Sequence, residues 1–254
     1  MRMLWSDVKY AVRMWSRSPG FVAVAALTLA LGIGANTTMF SIVNATLLRP
    51  LPFPEPNRLT LLWQGQVKDP NDYNIVSLPN YRDWLARNTS FADIALFDSA
   101  GRGYNLTSSG EPEQVSGLRV TASFFKVLGV APMLGRTFLP EEEQAGRDRV
   151  VVLSYGLWTR RYGADRSLVG KTISIDSQAY TVAGVMPATF RFQFWSGERQ
   201  LWVPAGWTVG DQDRGSNSFI AIGRLKPGVT FESATAEMDV IGRALAAENP
   251  ENNT

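Results

Sequence analysis

Residues 168–187 read LVGKTISIDSQAYTVAGVMP, and whether they form a phosphate loop or a hairpin decides the fold class. Val169-Gly170-Lys171-Thr172 resembles the end of a phosphate-binding loop. Such a loop needs another glycine five residues before Gly170, where this chain has Asp165, and a helix directly after the threonine. From Thr172 to Val185 the chain instead alternates with the period of strands. The stretch is therefore predicted as a turn leading into a β-hairpin, and a nucleotide-binding loop is set aside.

Outward from that hairpin the elements are short and mixed. Upstream, 149–153 is an apolar strand, and 155–162 is a helix with Ser154 at its N-cap and Gly163 at its close. A helix over 122–128 stops at Gly129, and strands are expected at 103–107 and 114–120 around Ser109-Gly110. Strands at 59–66 and 91–97 flank a short helix capped by Ser77, with Tyr81, Trp84 and Leu85 on one side. Downstream come strands at 200–203 and 219–225. The clearest helix runs over 231–248, capped by Thr230, with Ala234, Met238, Ile241 and Leu245 on one face. The fold class is α+β, in two lobes with the second inserted into the first.

Ahead of this domain, residues 18–48 hold no Asp, Glu, Lys or Arg, and their centre is FVAVAALTLALGIGA at 21–35. A bilayer core takes about 20 helical residues, so the run is long enough for one transmembrane helix. Two other readings are weaker. Buried core helices of this length rarely lack a charge, and a cleaved signal peptide has a shorter apolar region of about 7–15 residues. Arg2, Lys9, Arg13 and Arg17 precede the run against one acid, Asp7. That bias places the N-terminus in the cytoplasm and the bulk of the chain outside it. Residues 1–17 form a cytoplasmic amphipathic tail, with Leu4, Val8, Val12 and Trp15 on one helical face. Within the span, Ala26, Ala30, Gly34 and Thr38 recur every four residues, with Thr37, Ser41 and Asn44 as a polar stripe beside them. Small residues let helices approach closely in lipid, so these seven positions are the candidate helix-packing site. RPLPFPEP at 49–56 is a stiff exit from the bilayer.

Composition removes whole function classes. The 254 residues include no His and no Cys. Nucleophile systems that need either residue, thiolate–imidazole zinc sites, Fe–S ligation and disulfides are thereby excluded within the chain. A mean hydropathy of −0.08 argues against several spans but leaves room for one. The pI of about 9.0 stems from the +3 balance of residues 1–17, since the rest of the chain carries −1. No basic stripe is left to track phosphates, so nucleic acid is not an expected partner.

Chemistry-bearing clusters are few. Glu141, Glu142 and Glu143 with Asp148 form the densest acidic group. Adjacent carboxylates do not face one another across a substrate, so a solvated loop or helix start is expected, with calcium ligation a distant alternative. Asp211 and Asp213 are read the same way. Trp158 is expected in the core, with Arg160 and Arg161 solvated or paired with acids. Phe190, Phe192, Phe194, Trp195, Trp202 and Trp207 read as ordinary core, with an exposed interaction surface as the alternative. No catalytic, cofactor-binding or metal residue is assigned, and no enzyme activity is expected.

Seven segments, in order, carry a family resemblance: LLRPLPFPEPNRL (47–59), SLPNYRDWLARNTSF (77–91), FFKVLGVAPMLGRTF (124–138), VVVLSYGLWTRRYGAD (150–165), LVGKTISIDSQAYTVAGVMP (168–187), LWVP (201–204) and GRLKPGVTFESATAEM (223–238). Together they resemble the permease subunits of MacB-type ABC transporters, a group that includes macrolide exporters and lipoprotein-release permeases and is related to FtsX-like permeases. The tail and span are similar to the branch of internally duplicated permeases that often lack a fused ATPase.

The resemblance implies a first transmembrane helix at 18–48 and a MacB-like periplasmic core domain at 49–254. Within it a porter lobe is expected at about 55–118 and 217–254, and an inserted β-rich sabre lobe at about 119–216. The implied role is a permease component in the bacterial inner membrane. It would couple ATP hydrolysis by a separate ABC ATPase subunit to periplasmic movement and substrate efflux. The implied partners are that ATPase, other permease spans, a homo- or hetero-dimer mate, the lipid bilayer and a periplasmic adaptor. Relatives continue into three more spans, so a truncated permease, a fragment or half of a split one is the expectation. The alternative is a single-span anchored periplasmic binding or scaffolding module without energy coupling.

Overall fold

The computed structural model describes residues 19–43, 52–66, 69–108, 110–193, 197–208, 211, 213–216 and 218–251. The chain divides into two units, Met1–Leu51 and Pro52–Thr254. The tail expected over 1–17 lies outside the described residues.

In the first unit, α1 (Pro19–Val43) is a 25-residue helix without a charged residue. At 1.5 Å per residue it is roughly 37 Å long. Phe21, Val24, Leu27, Leu29, Leu31 and Ile33 are each more than 60% exposed, so apolar side chains point out on every side. Thr28 Oγ1 donates to the Val24 carbonyl at 2.9 Å, which satisfies its hydroxyl inside the helix. Among the described residues no helix is long and apolar enough to cross a membrane, several α1 side chains lying outside that set.

The second unit mixes twelve strands with four helices among the described residues. In chain order they are β1 (Leu59–Leu62), β2 (Gln64–Gln66), β3 (Asp69–Asn74), α2 (Leu78–Arg87), β4 (Phe91–Asp98), β5 (Arg102–Leu106), β6 (Glu113–Val120), α3 (Phe124–Leu128) and β7 (Leu134–Gly135). There follow β8 (Val150–Leu153), α4 (Tyr155–Tyr162), β9 (Thr172–Ile175), β10 (Gln178–Val185), β11 (Leu201–Pro204), β12 (Phe219–Leu225) and α5 (Phe231–Glu248).

Local chemistry accounts for most of these boundaries. β9 and β10 are the predicted hairpin, paired from Ile175↔Gln178 to Thr172↔Thr181. Asp176 and Ser177 both take positive φ, 48° and 62°, the geometry that fits a two-residue turn to twisted strands. Ahead of it the Val169–Thr172 segment is a plain turn, in which Gly170 donates to the Val182 carbonyl and Lys171 to the Leu168 carbonyl. Ser154 and Thr230 cap α4 and α5, accepting from Leu157 N at 3.1 Å and Ser233 N at 3.2 Å. Ser77 does not cap α2. It stands at the N-cap position, but its hydroxyl is buried and bonds to nothing among the described residues.

Strand pairing runs β1-β12-β4-β6-β11-β8-β10-β9-β5, and β5 pairs back to β6. Six strands therefore close on themselves as a barrel: β6, β11, β8, β10, β9 and β5. The other three, β1-β12-β4, form an antiparallel sheet that joins the barrel where Phe97 of β4 meets Val120 of β6. Strand β6 serves both, pairing with β5 along Glu113–Gly117 and with β11 along Gly117–Val120. The barrel thus draws its strands from 102–204, whereas the sequence reading starts the inserted lobe at about 119. Alternation shows which face of a strand is apolar but not which sheet receives it.

Three cores result. Helices α2 and α5 cover one face of β1-β12-β4 through Leu78, Tyr81, Trp84, Ala234, Ile241 and Leu245. The opposite face meets the outer barrel wall in an aromatic cluster. There Phe97 packs on Phe192 at 5.3 Å, Phe124 on Phe192 at 5.1 Å and Phe190 on Trp202 at 5.3 Å. The aromatic stretch read as core is core at Phe190, Phe192 and Trp202, while Phe194 and Trp195 lie outside the described residues. The third core is the barrel interior.

Candidate functional site

Period-two alternation sends Tyr104, Leu106, Val151, Leu153, Ile175 and Val203 into the barrel, each 4% exposed or less. Strand β8 runs from Val150, which Arg149 precedes, to Leu153, and the two ends of the barrel differ.

At the Leu153 end, α4 lies over the barrel and adds Leu157, Trp158 and Tyr162 to its core. Trp158 Nε1 donates to the Asp165 carbonyl at 3.0 Å. Arg161, its side chain 7% exposed, donates to the carbonyls of Leu106, Ser108 and Glu111 at 3.0–3.2 Å. Arg160 and Arg161 take the two oxygens of Glu113, at 2.6 and 3.2 Å. The hydrogen bond from Arg160, helped by Arg161, holds the Glu113 carboxyl below the usual range.

At the Arg149 end the barrel opens into a cavity of about 250 Å³. All six barrel strands or their ends reach it, through Arg102, Tyr104, Arg119, Arg149, Asp176, Tyr180 and Val203 among others. Arg119 is held by Asp98, with Nε and Nη2 3.0–3.2 Å from the carboxylate, and lies 5.6 Å over the Phe219 ring. Asp176 accepts from Asn105 N and Nδ2 at 2.9 and 2.8 Å, and Asp148 from Gly146 N at 3.0 Å. The Arg149 guanidinium sits 5.3 Å over the Tyr180 ring. Among the described residues neither Arg102 nor Arg149 has a carboxylate within 4.0 Å. Tyr104 is 4% exposed, and its hydroxyl is buried without a hydrogen-bond partner among the described residues. Burial pushes that phenol above its ordinary value, so it stays a neutral donor. Of these residues only Asp148 was singled out from the sequence, as a member of the acidic group. They are scattered over 102–206, and the only local signal is that 102 and 104 share the inward parity of β5.

The acidic run is a helix start, one of the two forms expected, but only Glu141 of its three glutamates is exposed. Residues 140–143 are a 3-10 turn, and Glu142 is buried there, with its carboxylate on Arg136 at 2.6 Å and on Leu139 N at 2.9 Å. Glu143 accepts from Ala122 N at 2.5 Å and Trp207 Nε1 at 3.0 Å. These carboxylates tie loops together. Asp211 accepts from Thr208 N and Oγ1, both at 2.7 Å, and Asp213 from Gly215 N at 2.9 Å. Among the described residues no group of three or more acidic side chains is placed to hold a metal ion.

Of the candidate helix-packing residues, Ala26, Ala30, Gly34 and Thr37 stand exposed on α1. Thr38 and Ser41 fall within the helix but their side chains are outside the described set, and Asn44 is outside the described residues.

Residues 22–241 match the model of the MacB-like periplasmic core domain. The chain belongs to that family. The MacB-like core reproduces the fold of three solved structures. It aligns with the periplasmic region of MacB from Actinobacillus actinomycetemcomitans at 13% identity and TM-score 0.53, covering 80% of this chain and 88% of that one. A domain of a Porphyromonas gingivalis protein described as a permease aligns at 18% identity and TM-score 0.57, with 77% and 86% covered. The extracellular domain of YknZ, a noncanonic ABC-type transporter from Gram-positive bacteria, aligns at 14% and 0.52, with 76% and 95% covered. Among curated proteins none matches the sequence significantly. The chain thus carries a MacB-like periplasmic core domain, of mixed α and β content as the sequence led us to expect.

Proposed function

We propose that this chain is the first membrane-spanning helix and the extracytoplasmic domain of an ABC-transporter permease in the bacterial inner membrane. The observation that supports it most is the extent of the family match, which begins inside α1 and runs through both lobes into α5. In this reading α1 anchors the chain with its N-terminus in the cytoplasm, as the flanking arginines and lysine require. Its face of Ala26, Ala30 and Gly34 packs on other permease spans, from this chain's dimer mate or from partner segments. The chain carries out no chemistry of its own. A separate ATPase subunit hydrolyses ATP in the cytoplasm, and movement of the anchor reaches the domain outside, which drives substrate outward, with a periplasmic adaptor as a further partner. The aromatic cluster between barrel and sheet suits that role, because a large apolar joint makes the two lobes move together.

The test is expression of the tagged chain in a bacterium together with a candidate ABC ATPase, followed by alkaline carbonate extraction and affinity capture. The expected result is retention in the membrane pellet and recovery of the ATPase with the chain. Release into the supernatant would remove the anchor. Retention without any ATPase would leave the scaffolding module as the better reading.

A further inference from the structure

We propose that the open mouth of the barrel binds a small organic anion through Arg102, Arg149 and the hydroxyl of Tyr104. The argument rests on which hydrogen-bonding capacity is left over there. Asp148 and Asp176 already accept from backbone or amide N–H groups, and Arg119 is taken by Asp98. Donor capacity remains beside them: two guanidinium groups without a carboxylate partner among the described residues, of which Arg149 lies on the Tyr180 ring and 3.5 Å from its hydroxyl, and one buried phenol. Tyr104 lines the cavity, and its hydroxyl, on a residue only 4% exposed, has no acceptor among the described residues, so it loses hydration for nothing unless a ligand at the mouth supplies one. Carboxylate and phosphate are acceptor-only groups, and guanidinium forks match them in geometry and charge. The lining is mainly polar, Asp148, Asp176 and Gln178 included, and Val203, Ile175 and Tyr180 supply the apolar contact for the carbon part of an organic acid. The cavity, about 250 Å³, lies under the ~300–1,000 Å³ of sites for drug-sized molecules, so the ligand is metabolite-sized. This site goes beyond the permease role and does not depend on it.

Isothermal titration of the full chain in detergent with succinate, glycerol phosphate and inorganic phosphate tests the proposal. The three probes separate a carboxylate site from a phosphate site, either of which supports it. At least one should bind saturably. Arg102→Gln should weaken that binding about tenfold, as loss of a charged hydrogen-bond partner does, and Tyr104→Phe about fivefold. Because Arg102 is exposed and Tyr104 donates to nothing among the described residues, both variants should unfold at the temperature of the parent, which shows that folding is not the cause. No saturable binding by any of the three anions overturns the proposal. So does an affinity that either variant leaves unchanged.

Discussion

The two ends of the barrel are built from the same six strands and end in opposite ways. At the α4 end the cations are matched: Arg160 and Arg161 share Glu113, and Arg161 spends its remaining donors on three carbonyls. Tyr162 Oη and Arg161 Nε have no partner there among the described residues, yet neither lines the mouth cavity. At the mouth neither Arg102 nor Arg149 has a carboxylate partner among the described residues, Arg149 resting on Tyr180 instead, and Tyr104 lines the cavity with a hydroxyl that is buried and unpartnered among them. The difference teaches where selection for stability stops. A closed end carries the folding energy of the barrel, while an open end can hold groups that contribute nothing to folding.

The comparison is sharpened most by removing the plug. Trp158→Ala deletes an indole that is 5% exposed and hydrogen-bonded to Asp165, and should cost about 3–5 kcal/mol. For a domain of this size that is roughly 10 °C in melting temperature, readable by circular dichroism. A loss under about 1 kcal/mol would mean that α4 rests on the barrel without plugging it. Next comes Arg161→Ala, which orphans three carbonyls and halves the pairing of Glu113. A cost of about 1–3 kcal/mol is expected in urea unfolding, against less than about 0.5 kcal/mol for Arg102→Ala at the other end. Equal losses at the two ends would erase the distinction.

Acid should act on the matched groups. Glu113 is held below its ordinary value of 4.5 by Arg160, then Arg161. Glu142 is also lowered: burial opposes its charge, but Arg136 and the Leu139 N–H outweigh it. A carboxylate depressed in the fold adds stability above its unfolded value and loses it as pH falls through the folded value. Stability should therefore hold near neutrality and decline from about pH 4.5 downward. Glu113→Gln should remove part of that slope, by less than about 1 kcal/mol between about pH 7 and pH 3.5, since the pair is partly solvated. An unchanged slope would show that Glu113 gains nothing from its two arginines.

What was legible in the sequence was local. The 172–185 hairpin, the Ser154 and Thr230 caps and the apolar face of α5 each depend on residues a few positions apart. The hairpin of β2 and β3 was missed because Asp69–Asn74 is polar and Pro-containing, without strand character. Barrel closure was hidden for another reason. Leu106 pairs with Ile175 and Gly117 with Leu201, partners that no spacing announces. The helix start at the acidic run was legible, but its ties were hidden in the same way: Glu143 is bound to the indole of Trp207, 64 residues away. The mouth, assembled from the ends of six strands, had no motif to find.

The smallest expected effect is the most telling. Tyr104→Phe removes one oxygen from a residue in the barrel core, where substitutions ordinarily cost stability. If its hydroxyl took part in the fold, the change would strip a buried hydrogen bond and cost about 0.5–1.5 kcal/mol. The hydroxyl has no partner among the described residues, while the ring contacts that phenylalanine keeps are those of the core. The urea midpoint should therefore stay within error of the parent or rise slightly, because an unsatisfied buried polar group has been removed. The matching change at the plugged end, Trp158→Phe, should still lose stability, since it forfeits the bond to the Asp165 carbonyl as well as volume. If Tyr104→Phe proved as costly as that change, the phenol would be a member of the folding core, and the mouth would serve stability no less than the end that α4 closes.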